Sequence, residues 1–257
     1  MIYAVVCAVA FLASGLTFFS GFGLGTLLLP AFAIFFAVEQ AVALTAIVHL
    51  LNGVFKLSLV WRHIDRAVVV RFGLLAIAGA FGGAATLLWL TKTPPLYAYE
   101  LFGQAFRVTA PKLVVGILLL LFVCAELAPA FRGISVPVRY MPVGGLLSGF
   151  FGGLAGMQGA LRSAFLVKAG LTKEAYVATG AAIAFLIDVS RLSVYARLIR
   201  DQLETFDYTL LGAAVVSAFV GATLGNRLLP MVRIAGIQAV VTVMLFFVGV
   251  GLSLGVL

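Results

Sequence analysis

Apolar residues run through this chain in ten blocks, roughly at 2–20, 24–37, 40–60, 68–90, 111–129, 139–152, 157–169, 174–196, 208–225 and 234–256, separated by short polar or glycine- and proline-rich breaks. Crossing a bilayer core takes about 20 helical residues. Blocks 24–37, 139–152 and 157–169 fall short of that and are predicted to be half-helices, tilted spans or re-entrant hairpins. The pattern predicts an all-α polytopic membrane protein of about ten helical segments, some short or re-entrant. Composition removes the soluble alternative, because a chain that is 63% hydrophobic and 10% charged has too few polar groups to cover a globule. The first block has no basic leader before it and reads as a retained helix rather than a cleaved signal peptide.

Two of the breaks resemble each other. The later one reads Ser148-Gly149-Phe150-Phe151-Gly152-Gly153-Leu154-Ala155-Gly156-Met157-Gln158-Gly159-Ala160-Leu161-Arg162, and the earlier runs from Ser14-Gly15 through Ser20-Gly21-Phe22-Gly23-Leu24-Gly25-Thr26 to Pro30. Each predicts a helix, a glycine-rich interruption and a short second helix. An interruption at membrane depth frees backbone amides that must find a partner, and a ligand is one such partner.

A shift of about 135 residues aligns more than these breaks. Glu39 falls on Glu174, Lys56-Leu57-Ser58 on Arg191-Leu192-Ser193, and Gly83 near Gly221. The chain is therefore expected to hold two repeats of five segments, residues 1–130 and 131–257. Five crossings, or three crossings and one hairpin, both leave the second repeat entering from the opposite side, so the repeats are expected to be inverted. Alternating the loops puts nine of the 17 basic residues on one face, namely Arg62, Arg66, Arg71, Arg132, Arg139, Lys168, Lys173, Arg227 and Arg233, and five on the other. The positive-inside rule makes loops 61–71, 131–139, 168–174 and 227–233 cytoplasmic, with both termini outside. Residues 91–112, with Pro94-Pro95 and the aromatics Tyr97, Tyr99, Phe102 and Phe106, are expected to link the repeats through an interfacial amphipathic piece.

Net charge is +8, but the basic residues stand singly between apolar runs, which argues against nucleic-acid binding. Cys7 and Cys124 have no CxxC or Cys/His spacing around them, and His49 and His63 are the only histidines, so neither a metal site nor a cofactor is expected. No nucleophile triad, carboxylate pair or phosphate loop is present, so the chain does not read as an enzyme.

The polar residues inside the apolar blocks carry the chemistry. Arg162 at mid-helix costs about 2.5–3.5 kcal/mol on insertion scales. With the amides of Gly156, Gly159 and Ala160 and the side chain of Gln158 it is a candidate oxyanion site; alternatively it pairs with Asp188 or snorkels to an interface. Gly23, Gly25 and Thr26 are the matching candidates in the first half, Thr26 serving equally well as a helix cap. Asp188 and Arg191 share one helix face and are expected to pair, Asp188 being also a candidate proton carrier or gate. His49, Asn52 and Lys56 form a comparable patch, read as coupling or gating residues or as hydrogen-bonded packing groups.

These residues resemble the sulfite exporter TauE/SafE family of membrane permeases. The likeness is carried by Gly21-Phe22-Gly23-Leu24-Gly25 with Pro30, by Gly149-Phe150-Phe151-Gly152 with Gly156 and Gly159, by Ala178-Thr179-Gly180, and by Gly221-Ala222-Thr223-Leu224-Gly225-Asn226-Arg227. The resemblance implies movement of sulfite, a sulfonate or another small organic anion across a bacterial inner membrane. Met157-Gln158 and Leu44-Thr45-Ala46 depart from the family pattern, which leaves the anion open. The expected function is a secondary transporter, an exporter, working by alternating access around a midplane site. The alternatives are a passive anion channel and, more remotely, an intramembrane lipid-modifying enzyme. Expected partners are a small anion, the lipid bilayer and a coupling proton or ion; a homodimer is compatible with the sequence but not specified by it.

Overall fold

The computed structural model describes residues 1–16, 24–128, 136–201, 207–228 and 234–257, with side chains except at 201, 225–228, 234–238 and 240. Gly23 and most of the first break, together with parts of loops 131–139 and 227–233, lie outside the described residues. Within them the ten apolar blocks form ten α-helices in order: α1 Ile2–Leu16, α2 Leu24–Ala33, α3 Val38–Val60, α4 Arg66–Leu90, α5 Ala110–Leu127, α6 Met141–Ala155, α7 Gly159–Leu166, α8 Lys173–Asp201, α9 Tyr208–Leu228 and α10 Ile234–Ser253. Among the described residues, the stretches Val38–His63, Arg66–Leu90, Ala110–Leu127 and Lys173–Arg200 are long and apolar enough to cross a membrane. The 15 residues of α6 reach only about 22 Å at 1.5 Å per residue, short of a hydrocarbon core of about 30 Å.

The short helices α6 and α7 form a hairpin that enters and leaves at one end. Gly156, with φ +72°, stops α6 in a left-handed conformation that a side chain would strain. The chain then reverses. Val136 N–H donates to the Ala164 carbonyl at 2.9 Å, and Phe165 and Leu166 pack with Met141, Val68 and Phe72 in one buried cluster. Asp65 caps α4 at the same end, accepting from Val68 N–H at 3.0 Å while its own N–H donates to the Thr179 hydroxyl at 2.9 Å. Stretches 61–65, 136–141 and 164–176 thus gather at one end of the bundle.

At the other end, Tyr3 donates to Asp207 at 2.7 Å, Tyr99 to the Leu254 carbonyl at 2.8 Å and Lys112 to the Gly255 carbonyl at 3.4 Å. Asp207 caps α9; the Leu210 N–H and the Tyr3 hydroxyl hold its carboxyl below the usual carboxylate range. Between α4 and α5 the structure departs from the expected amphipathic piece. Tyr97–Leu101 (β1) and Gln104–Val108 (β2) form an antiparallel hairpin in which Tyr97 faces Val108 and Leu101 faces Gln104. Phe102 and Gly103, with φ 52° and 75°, make the two-residue turn that suits strand twist. Tyr97 and Tyr99 alternate on one face, and Tyr99 stacks on Phe106 at 5.4 Å between ring centres. That period of two is a strand signal, which is why the aromatics do not line a helix.

Helix packing rests on backbone approach. In water-free surroundings helices gain little from apolar contact, so small residues that let backbones touch decide which helices pair. Gly145, Gly149 and Gly153 of α6 each face a carbonyl of α4, at Phe72, Ala76 and Ala80, while Gly79 and Gly83 of α4 face the carbonyls of Leu146 and Phe150. The register advances together on both helices, so α4 and α6 run parallel. Gly221 of α9 meets the Phe11 carbonyl of α1 in the same way, and Gly116 of α5 abuts Gly249 and Ser253 of α10. Helix α8 packs against both α3 and α4.

Valine at Gly149 would drive its Cβ into the α4 backbone. Gly149→Val is expected to lower the unfolding midpoint in detergent by the equivalent of about 1–3 kcal/mol. Gly212→Val, where a Cβ would meet nothing within 4 Å, is expected to leave it unchanged.

Candidate functional site

The hairpin tip between α6 and α7 lies against the middle of α8, which is joined at the same place to the middle of α3. Asp188 and Arg191, three residues apart on α8, are both fully buried. Asp188 Oδ1 accepts from Arg191 Nε at 3.0 Å and lies 2.8 Å from Arg191 Nη2. Its Oδ2 lies 2.5 Å from His49 Nδ1 on α3, which bridges the first and second halves of the chain. Gln158, buried at the hairpin tip, donates from Nε2 to Asp188 Oδ1 at 3.3 Å and accepts from Arg162 Nη1 at 3.3 Å through Oε1. Only that orientation of the amide matches a donor to the carboxylate and an acceptor to the guanidinium.

Arg162 sits one turn into α7 and is half-buried. Asp188 is engaged by Arg191 and His49, and Arg162 reaches it through Gln158 rather than as a direct pair. Gly159 and Ala160 open α7, buried and half-buried respectively. Ser148 fixes the tip by donating to the Gln158 carbonyl at 3.1 Å. Arg191 Nη1 donates to the Gly152 carbonyl at 3.2 Å, and the Tyr195 hydroxyl donates to the Gly153 carbonyl. The Gly153 carbonyl lies in the last turn, where a carbonyl has no donor within the helix, whereas the Gly152 carbonyl already accepts from the Gly156 N–H at 2.9 Å and takes Arg191 as a second donor; a cation there also suits the helix dipole.

The first-half residues join the same assembly. Asn52 Oδ1 accepts from the Ser14 hydroxyl at 3.0 Å, and Lys56 Nζ donates to the Ser14 carbonyl at 3.2 Å near the end of α1. Gly25, the second residue of α2, faces the hairpin tip so closely that a Cβ would stand 2.6 Å from the Gly156 carbonyl oxygen. Thr26 is buried beside it. Two fully buried donors, Thr45 Oγ1 and Arg191 Nη2, have no hydrogen-bond acceptor among the described residues; Nη2 is close enough to Asp188 to form an ion pair but is badly aligned for a hydrogen bond. No group of three or more His, Cys, Asp or Glu side chains is placed to hold a metal among the described residues.

Several members of this assembly were not singled out by sequence reasoning. Ser14 and Ser148 stand at matching places in the two glycine breaks, a signal that would have found them. Tyr195 lies one turn beyond Arg191 on α8 and carries no such mark. Removing one side of a buried ion pair costs about 3–5 kcal/mol because the other charge is stranded, whereas replacing both with apolar groups is often neutral. Asp188→Leu is therefore expected to lower unfolding stability by that amount, and Asp188→Leu with Arg191→Met by distinctly less, as read from denaturation of the detergent-solubilised protein.

A bundle of apolar helices with a broken hairpin, and charged side chains buried around the break, is an arrangement in keeping with a transport site inside a membrane. The model for the family described as Sulfite exporter TauE/SafE matches residues 6–252, nearly the whole chain, and the protein belongs to that family. It is accordingly a multi-pass membrane transporter for sulfite or a related anion. No curated protein and no solved structure matches the chain significantly.

Proposed function

We propose that the protein is a secondary transporter that exports a small oxyanion, a sulfonate or sulfite, through alternating exposure of a site at the α6–α7 hairpin tip and the start of α2. The observation that carries this reading is the excess of donors at that point. Arg162 and Arg191 meet there around the carboxylate of Asp188, Lys56 lies on the same helix as His49 and donates to the Ser14 carbonyl, and Thr45, one turn before His49, presents a buried hydroxyl with no hydrogen-bond partner among the described residues. An anion supplies an acceptor. Arg162, Gln158 and the first-turn amides of α2 and α7 are the proposed ligands, the helix N-termini adding their positive ends.

Two inverted repeats are the proposed frame. The packing supports it, because α4 pairs with α6 and α9 with α1, while α3 pairs with α8 and α5 with α10. Moving each helix five places along the chain returns the same pairs. Lys56 binds a carbonyl near the end of α1 and Arg191 one near the end of α6, which are matching positions under that exchange. Loops 61–71, 131–139, 168–174 and 227–233 are proposed to face the cytoplasm of a bacterial cell. An inside-negative potential then drives a monoanion outward with about 2.3 kcal/mol per 100 mV. Asp188 and His49, hydrogen-bonded between the halves, are the proposed gate.

Liposomes holding the purified protein test this directly, with a panel of sulfite, sulfonates and carboxylates. Saturable flux of one or more of them is expected, and Arg162→Ala is expected to raise the half-saturating concentration about 10- to 100-fold, equivalent to losing a charged hydrogen bond worth about 1.5–3 kcal/mol. Flux that never saturates would make the protein a channel, and an unchanged Arg162→Ala would remove that residue from the site. Single cysteines placed in 61–71 and 197–207 are expected to be labelled from opposite sides of the membrane; labelling of both from one side contradicts inversion.

A further inference from the structure

The connection between α4 and α5 has two unlike faces. The register that sets Tyr97 against Val108 and Tyr99 against Phe106 puts these four side chains and Leu101 on one face, with Gln104 beside the turn. Glu100 and Arg107 stand on the other face with Ala98 and Ala105. Tyr97 stacks beside Tyr99 at 6.0 Å between ring centres and Tyr99 on Phe106 at 5.4 Å, so the apolar face is one aromatic surface. Only part of that surface is covered. Tyr99 and Phe106 are half-buried, whereas Tyr97 is 65% exposed, Leu101 50% and the turn residue Phe102 97%.

The hairpin lies across a helix end rather than standing clear of it. The Tyr99 hydroxyl donates to the Leu254 carbonyl just beyond α10, and a Cβ on Gly255 would stand 2.5 Å from the Arg107 carbonyl oxygen. Leu96 N–H donates to the Val108 carbonyl at 2.8 Å, which closes the base of the hairpin next to the start of α5 at Ala110. From Tyr99 to Phe102 the strand reaches about 10 Å at about 3.3 Å per residue, so the turn extends beyond the contact with α10. Along α10 itself Val243, Phe246, Phe247 and Leu254 are exposed at helical spacing, an apolar stripe that ends where the hairpin is attached. In a multi-pass membrane protein such a stripe faces acyl chains, and the aromatic overhang continues the same surface.

We propose that the hairpin 97–108 is a lipid-binding element: its aromatic face and Phe102 sit at the boundary between the headgroups and acyl chains of a glycerophospholipid bilayer, and Glu100 and Arg107 face water. Tyrosine suits that layer because its ring needs an apolar neighbour and its hydroxyl a polar one. Seated there, the hairpin fixes the level at which α5 and α10 meet the interface. The inference rests on the protein spanning a membrane and is independent of the anion-carrier reading.

Tryptophan emission tests it in the full-length protein, with Trp61→Phe and Trp89→Phe removing the native signal. In phosphatidylcholine vesicles, Phe102→Trp is expected to emit at shorter wavelength than Glu100→Trp. Lipid brominated near the headgroup is expected to quench it more than lipid brominated near the chain ends, and aqueous acrylamide to quench it less than it quenches Glu100→Trp. Equal quenching of the two variants by acrylamide, with none by either bromolipid, would place the hairpin in water and overturn the proposal. Shielding of Phe102→Trp from acrylamide and bromolipid alike would mean that a second copy of the chain covers the face, which overturns it as well. Tyr97→Trp, on the same face, decides the question in the same way if Phe102→Trp is not recovered folded.

Discussion

A carboxylate sealed away from water must be surrounded by donors or it will not stay ionised. Asp188 meets that requirement by drawing on three separate parts of the chain: Arg191 from its own helix, His49 from α3 and Gln158 from the α6–α7 tip. Each of these partners is then committed. His49 ties α3 to α8 at one depth, Gln158 orients Arg162, and Arg191 is left pointing at the end of α6. The geometry of the whole centre follows from satisfying one charge.

Glycine packing makes that satisfaction reachable. Gly145, Gly149 and Gly153 let α6 lie against the backbone of α4, which carries the end of α6 deep into the bundle and holds its last carbonyls where Arg191 and Tyr195 can donate to them. The turn that follows is equally confined. A side chain at Gly156 would be strained by its φ of +72° and would also stand 2.9 Å from Arg191 Nη1. The same lack of side chains at Gly25 lets α2 touch the tip. Interior approach, not surface recognition, is the use to which most of this glycine is put.

Membership of the TauE/SafE family and the polar centre address different levels of the same question. The family assigns transport of sulfite or a related anion; the centre gives that assignment candidate atoms. Among the described residues, buried ionised groups gather at this depth, while the ends of the bundle carry ordinary caps and an aromatic hairpin. The centre is also uneven: Arg191 is sealed and Lys56 is half-buried, although both bind a carbonyl near the end of a broken helix.

The ten helices, the shortness of α2, α6 and α7, and a break between α6 and α7 were legible in the sequence, because apolar run length and glycine density act locally; that Gly156 makes the stop came from the structure. Polar residues inside apolar runs were legible too, since each is costly there and stands out. Their partners were not. His49 and Asp188 are 139 residues apart, and Ser14 and Asn52 are 38, so no spacing rule links them. The β-hairpin at 97–108 was missed because aromatics two apart were read as one interfacial mixture. Which charge pairs with which depended on how deeply α6 sinks along α4 and on the helix face that α3 turns toward α8. Those are properties of packed backbones in three dimensions, and only the tertiary structure decided them.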